Sequence, residues 1–349
     1  MISMRIGKHE IGEGLGCFIL AEAGVNHNGS LAQACALVDA AVEAGADAVK
    51  FQTFTAEKLV LPNTPQAQYQ RRSTKGAESQ LELLKRMELS RQDHQALVEH
   101  CRKQGIPFLS TPFDEDSADF LESLGVEAFK IGSGDLTNVP LLEHVARKGR
   151  PMIVSTGMST LGEVEEAVTA IEAQGDPALV LLHCVSNYPA DPRDANLRAM
   201  ATLRLAFGRP VGYSDHTMGI EVPLAAAALG ACVIEKHFTL DCGLPGPDHQ
   251  ASMEPHEFKR MVEAIRIVEA AMGDGRKRPV ASEADVMAAA RRSLVAAVAI
   301  PKGTAIRTEM LALRRPGTGL PADMRRHLIG RTASADIPAG TLLQLEMFR

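Results

Sequence analysis

The stretch "VIEKHFTL", residues 233–240, begins as an apolar run and ends in Glu235, Lys236 and His237. About one repeat earlier, "PVGYSDHTMG" ends in the same manner, at Asp215 and His216. Two neutral imidazoles delivered by successive strand-like runs suit a divalent transition metal such as Mn²⁺ or Zn²⁺, with Glu22 as a further candidate ligand. So few protein ligands leave positions for water and a substrate oxygen. The alternative is a pair of hydrogen-bonded structural histidines; two of them at adjacent strand ends favour the metal. His27, in "GVNHNGS", lies in a turn, where backbone bonding competes with catalysis.

A second constellation is "FKIGSGD", residues 129–135, in which Lys130 precedes a Gly-Ser-Gly turn that leads into a helix near Asn138. Backbone N–H groups at such a turn, with Ser133 and the Lys130 ammonium, would hold a phosphate. Hydroxyls at Thr111, Ser155, Ser186 and Ser214 could complete the cradle. The loop "LPGPDHQASMEP" (244–255) carries Asp248 between Pro-Gly turns, as a hydrogen-bond partner or acid/base group for a polyol. The "GEGLG" near the N-terminus precedes its strand, so it is no dinucleotide fingerprint.

These residues share a position in the pattern. Eight short apolar runs fall at 17–24, 48–53, 107–112, 128–134, 152–157, 179–186, 211–215 and 232–238, and each is followed by a segment of helical periodicity. Continuously apolar strands fit a parallel sheet buried on both faces. Eight of them predict a closed (β/α)₈ TIM barrel, with an open doubly wound sheet as the alternative. In a barrel every C-terminal strand end points to one mouth. That mouth gathers Glu22, Asn26 and His27; Lys50 and Gln52; Thr111; Lys130, Ser133 and Asp135; Ser155; Ser186 and Tyr188; Asp215 and His216; Glu235 and His237. So many polar groups in one ring are costly to bury unless they satisfy one another or a ligand.

The segment 54–80 is long and rich in Pro, Gln and Arg, which suggests a lid or binding loop. After residue 273 the pattern changes. "VAIPKGTAI" (298–306) is echoed by "ADIPAGTLL" (335–343), with matching Pro-x-Gly-Thr turns. The expected organisation is a catalytic barrel over 1–273, a linker over 274–290 and a small β-rich domain over 291–349.

Composition excludes several classes. A net charge of −6 with no Lys/Arg block gives no footprint for nucleic acid. Six cysteines without C-x-x-C spacing argue against a disulfide framework. The N-terminal residues are too polar for a secretory signal, and the longest apolar run, near 222–234, is too broken for a membrane span. The expectation is a cytoplasmic protein that binds no membrane.

Taken in order, "AEAGVNHNGS", "ADAVKFQTF", "STPFDEDSADFL", "FKIGSGD", "STGMST", "GYSDHTMGIE", "IEKHFTLD" and "PGPDH" closely resemble the sialic acid synthase family. "RRPGTGL" and the two Pro-x-Gly-Thr turns resemble its appended antifreeze-like (SAF) domain. The likeness runs from about residue 16 to 349. It implies an enzyme that joins phosphoenolpyruvate to an N-acylated amino-sugar aldehyde, breaks a C–O bond and releases phosphate. It further implies a domain-swapped homodimer. By the resemblance His216 and His237 hold Mn²⁺ or Mg²⁺, and Lys130, Thr111, Ser133, Gly134, Ser155, Ser186 and Ser214 bind phosphoenolpyruvate. Glu22, Lys50, Gln52, Tyr188 and Asp248 match residues near the reacting carbons and the sugar, and Asp135 and Arg315 match sugar contacts. Glu22, Lys50, Lys130, Tyr188 and Asp248 are the expected catalytic set. The chain departs from the pattern at Asp135, where many members carry Glu, and at Ser186–Asn187. N-acetylmannosamine, giving N-acetylneuraminate, is the first expected acceptor, and 2,4-diacetamido-2,4,6-trideoxymannose, giving N,N'-diacetyllegionaminate, the second. A metal-dependent barrel aldolase or hydrolase that does not use phosphoenolpyruvate is the rival reading.

Overall fold

The computed structural model describes residues 3–66, 71 and 79–349. The chain divides into two compact units, Met1–Gly273 and Asp274–Arg349. In the first, a hairpin of β1 (Ser3–Ile6) and β2 (His9–Gly12) precedes eight parallel strands. These are β3 (Phe18–Gly24), β4 (Ala48–Thr53), β5 (Phe108–Pro112), β6 (Phe129–Ile131), β7 (Met152–Ser155), β8 (Leu179–Cys184), β9 (Val211–Asp215) and β10 (Val233–His237). Their order in the sheet is β5-β4-β3-β10-β9-β8-β7-β6, and β5 packs beside β6 to close the ring. The (β/α)₈ expectation therefore holds, and the open doubly wound sheet does not.

Period-two alternation divides each strand between two apolar layers. Outward residues such as Ile19, Val49, Phe51, Tyr213 and Ile234 pack under the helices. Inward residues such as Phe18, Leu20, Leu109, Val180, Leu182 and Val233 fill the barrel. The hairpin β1–β2 adds Met4, Ile6 and Ile11 to that inner cluster, plugging the N-terminal end. With that end sealed, the open mouth lies at the C-terminal strand ends. Helices begin where polar caps stand: Ser90 with Asp93 and Thr160 with Glu163 both form reciprocal capping boxes before Arg91–Gln104 and Leu161–Glu172.

One irregularity bears on the mouth. The register between β3 and β4 shifts between Glu22 and Gly24, a bulge in which Gly24 has φ +49°. A Cβ at Gly24 would lie 2.9 Å from Glu22 Oε1, so only glycine lets the Glu22 side chain take its place.

The second unit has its own core of Leu294, Ala296, Ile300, Leu311, Ile337, Leu343 and neighbours. Strands β11 (Ser293–Ala296) and β12 (Leu311–Arg314) pair antiparallel, and single bridges such as Ile300↔Ile337 extend the pairing. The internal repeat folds as two equal turns. Thr304 N donates to Pro301 O and Thr341 N to Pro338 O, each at 3.2 Å, and Gly303 and Gly340 both have φ +83°. Among the described residues no helix is long and apolar enough to cross a membrane.

Candidate active site

A cavity of about 820 Å³ opens at the C-terminal ends of the barrel strands. It brings together Glu22, Lys50, Gln52, Thr111, Lys130, Ser133, Gly134, Ser155, Ser186, Tyr188, Ser214, His216, His237 and Asp248. Asp135, expected as a sugar contact, is not among its lining. Asp135 turns away, its Oδ1 accepting from Asn138 Nδ2 at 3.1 Å, because the chain after β6 tightens into a 3₁₀ turn at Ser133–Asp135. Arg315 belongs to the second unit, where its Nε donates to Ala290 O. The lid expected over 54–80 is described only in part, since residues 67–70 and 72–78 lie outside the described residues.

Charge in the cavity is paired across strands. Lys50 Nζ lies 2.8 Å from Glu22 Oε2 and 3.8 Å from Glu235 Oε1, and Lys130 Nζ lies 3.7 Å from Glu235 Oε2. Burial works against the Lys50 ammonium, but Glu22 and Glu235 outweigh it and its pKa rises. Burial pushes Glu22 up to about 7, against the pull of Lys50. Burial opposes the ionised form of Glu235 too; there Lys130 and Lys50 prevail and its pKa falls. Asp248, buried with Lys50 as the opposing charge, is raised to about 6. Glu235 was visible in the sequence only as one more polar strand end. Its place two residues before His237 puts it on the same inner face, and that alternation is the signal that finds it.

Lys130 is about as buried as any residue of the protein, 1% exposed. Its Nζ donates to Ser155 Oγ at 2.7 Å and to Ile131 O at 2.9 Å, and burial lowers its pKa. Beside it the backbone of Gly157 passes close: its N–H donates to Ser133 Oγ at 3.0 Å, and a Cβ there would meet Ser186 Oγ, Cys184 Sγ and Ser133 Oγ within 2.8 Å. The Lys130 ammonium and the Ser133 and Ser155 hydroxyls line the same cavity, as an oxyanion requires.

The two histidines meet as neighbours, ring centroids 5.3 Å apart, with the Tyr188 ring 4.1 Å from His216 and 5.3 Å from His237. Burial holds both rings neutral, His237 well below the usual histidine range. His216 Nδ1 lies 2.6 Å from the Val185 carbonyl, which can only accept, so the proton is on Nδ1 and the Nε2 lone pair is free. His237 Nδ1 is buried without a hydrogen-bond partner among the described residues. Neutral rings, one oriented by a backbone carbonyl and one with an orphaned nitrogen, fit a divalent cation. Among the described residues no cluster of three or more His, Cys, Asp or Glu is arranged for a metal, so the pair would share an ion with water and substrate.

Much of the remaining wall is apolar: Val25, Leu59, Leu83, Leu84, Met87 and Phe113 line it, drawn from the first loop, the short helix Ala56–Leu59, the helix Gln80–Met87 and the loop after β5, with Gln80 and Asn187 as polar neighbours. At sequence level Leu83, Leu84 and Met87 have the spacing of an ordinary core-facing helix, so nothing marked them as site residues.

Residues 37–277 match the NeuB family and residues 291–349 the SAF domain. The chain belongs to the NeuB family. It is 50% identical over 339 residues, 96% of this chain and 95% of the relative, to the N,N'-diacetyllegionaminic acid synthase of Legionella pneumophila. It is 45% identical to the protein of the same name from Campylobacter jejuni, covering 93% and 98% of the two chains. Among solved structures, the N-acetylneuraminic acid synthetase of Leptospira borgpetersenii superposes with a TM-score of 0.72 at 37% identity, over 82% of this chain and 95% of that one. The NeuB family is generally metal-dependent, which agrees with the chemistry of the histidine pair.

Asn26 and His27, expected at the mouth, instead tie loops together. Asn26 Nδ2 donates to Phe238 O and Ser252 Oγ, joining the first loop to the eighth. His27 Nδ1 accepts from Gly29 N, and His249 bonds Thr239 and Asn28. Burial lowers both histidines to about 4. A histidine with a depressed folded pKa binds its proton more readily when unfolded, so its contribution is full above about 6.5 and falls away towards 4. Glu22 and Asp248, raised by burial, titrate in the opposite sense, so a variant isolates the histidine part. Between pH 7 and pH 4.5 wild type is expected to lose about 2 kcal/mol more unfolding free energy than His27→Gln. Urea titrations at the two pH values check this, and equal losses would refute a neutral buried His27.

Proposed function

We propose that the chain is a nonulosonic acid synthase that condenses phosphoenolpyruvate with 2,4-diacetamido-2,4,6-trideoxymannose, giving N,N'-diacetyllegionaminate and phosphate. The observation that carries the phosphoenolpyruvate half is the buried Lys130–Ser155 pair with Ser133, on the wall of the cavity that also holds the two histidines. A metal-dependent aldolase that uses no phosphoenolpyruvate would leave that cradle without a task. The sugar rests on the 50% and 45% identical relatives and on the apolar wall, which suits a deoxy C6 methyl and a second acetamido methyl. N-acetylmannosamine is the second reading, supported by the likeness to the Leptospira synthetase.

His216 and His237 would hold Mn²⁺ or Mg²⁺, and when bound the ion supplies Lewis acidity at the aldehyde oxygen. Lys130 and Lys50 offset the phosphate and carboxylate charge and hold the enol carbon at the aldehyde. As C3 of phosphoenolpyruvate bonds the aldehyde carbon, Asp248 gives a proton to the aldehyde oxygen, and C2 becomes oxocarbenium-like. Glu22 takes a proton from the water that adds to C2, and its raised pKa suits that task near neutral pH. Collapse of the tetrahedral centre breaks the C2–O bond, and the hydroxyl proton leaves with the phosphate. As part of the same reading, Arg315 of one copy reaches the sugar's acyl group in a domain-swapped homodimer.

The test is phosphate release from phosphoenolpyruvate and Mn²⁺ in H₂¹⁸O with each sugar. Burying two methyl groups gains about 1.6 kcal/mol, and meeting a sugar hydroxyl with an apolar wall costs about 1–3, so the trideoxy sugar should be preferred by roughly 10²- to 10³-fold in kcat/KM. The label should enter the sugar acid and not the phosphate. Preference for N-acetylmannosamine would move the sugar to the second reading, and no release with either would end the synthase reading.

A further inference from the structure

Directly behind the two histidines, on the outward face of the barrel wall, the chain buries a full ion pair. Strands β9 and β10 run in register with Asp215 beside Lys236, so the residue before His216 stands beside the residue before His237. Lys236 Nζ lies 2.5 Å from Asp215 Oδ2, and the two residues are 2% and 1% exposed. Lys236 Nζ also donates to the Thr217 carbonyl. Asp215 Oδ1 in turn accepts from Thr217 N at 3.0 Å and Thr217 Oγ1 at 2.8 Å. The layer around the pair is apolar, with Tyr213, Ile234 and Phe238 among its members. A buried ion pair in such a place is poor economy for stability alone, since well-packed apolar residues often do as well or better.

We propose that Asp215, Lys236 and Thr217 form a clamp that fixes His216 and His237 relative to each other, and so are positioning residues for the bound cation. The inference rests on the two histidines being its ligands. One ammonium grips a side chain on the strand before His216 and the backbone just after it, while its own strand ends one residue later in His237. The backbone on both sides of His216 is therefore tied to the strand that carries the second ligand. The His216 carbonyl accepts from Ala190 N and its Nδ1 faces Val185 O, so the remaining freedom of that loop is taken up as well. Preset ligand separation favours cation binding because little ordering is left to be done when the ion arrives.

The test is titration of the full-length protein with Mn²⁺ alone, read as loss of the free Mn²⁺ electron paramagnetic resonance signal, alongside thermal unfolding. Asp215→Asn and Lys236→Met each strand a buried charge and should lower Tm as well as Mn²⁺ affinity. The double variant Asp215→Leu/Lys236→Met removes both charges. It should recover Tm to near that of wild type while its Mn²⁺ affinity stays at least ~10-fold weaker. A double variant with wild-type Tm and wild-type Mn²⁺ affinity overturns the clamp and leaves the pair a structural feature only. Should the double variant not fold, the near-isosteric Thr217→Val carries the test: an affinity loss of about threefold or more, the scale of one hydrogen bond, supports the clamp, and none overturns it. His216→Ala and His237→Ala separate the two layers of the argument. If Mn²⁺ binding survives both, the ligand assignment itself is wrong and the clamp falls with it.

Discussion

Replacing His237 with Ala lowers Mn²⁺-dependent phosphate release at least ~10³-fold, the size expected when several kcal/mol of Lewis-acid stabilisation are removed. The same loss follows from EDTA treatment of wild type, and EDTA has no further effect on the variant. The expectation comes from what His237 does not do in the fold. Its Nδ1 makes no hydrogen bond among the described residues, its ring is held neutral by burial, and it faces the ring of His216 across the cavity wall. A histidine kept for structure would have its nitrogens satisfied, as His249 does with Thr239 and Asn28. Near-native thermal unfolding with lost turnover therefore marks a ligand. A lower Tm with Mn²⁺-dependent turnover intact would mark a structural residue and return the pair to the reading first weighed against the metal.

How much of this was legible beforehand follows from the physics of each signal. The barrel was legible because a strand buried on both faces must be apolar throughout, and eight such runs leave few topologies. The site was legible because a barrel sends every strand's C-terminal end to one mouth, so polar residues at those ends can be read as one group before any contact is known. Pairings across the mouth were not. Glu235 sits between Lys50 of β4 and Lys130 of β6, strands far away in sequence, and nothing in "VIEKH" announces those partners. Backbone curvature was equally hidden: the 3₁₀ turn that carries Asp135 towards Asn138 looks in sequence like any Gly-Ser-Gly entry to a helix. For Asn26 and His27 the sequence leaves structure and catalysis both open. They are polar and stand at a strand end, but loop-to-loop bonds use the same residue types as catalysis. The hairpin Ser3–Gly12 carries little sequence signal because a plug needs only three inward side chains, Met4, Ile6 and Ile11, among polar ones.

Lys130→Met should lower kcat/KM for phosphoenolpyruvate by ~10²–10³, the range seen when one preorganised electrostatic group is removed. Lys130 is a buried cation that meets a hydroxyl, a carbonyl and a carboxylate 3.7 Å away. Burial depresses its pKa, so the ammonium stands to gain from an incoming anion. Without it, the phosphate or carboxylate of the substrate would face Glu235 with only Lys50 to compensate. Because the substrate carries its charge in the ground state as well as in the transition state, much of the loss should fall on KM, at least ~10-fold, and the rest on kcat as the departing phosphate gains charge. Lys130→Met should also lower Tm, because Glu235 is left to share Lys50 with Glu22, so the kinetics are read below the variant's own unfolding transition. Steady-state kinetics with each substrate varied in turn decide the matter. A rise in KM confined to the sugar would put Lys130 on the acceptor side and leave the anion cradle to Ser133, Ser155 and Lys50. An unchanged KM for both substrates with a lowered kcat would make Lys130 a group that acts only as the C–O bond breaks.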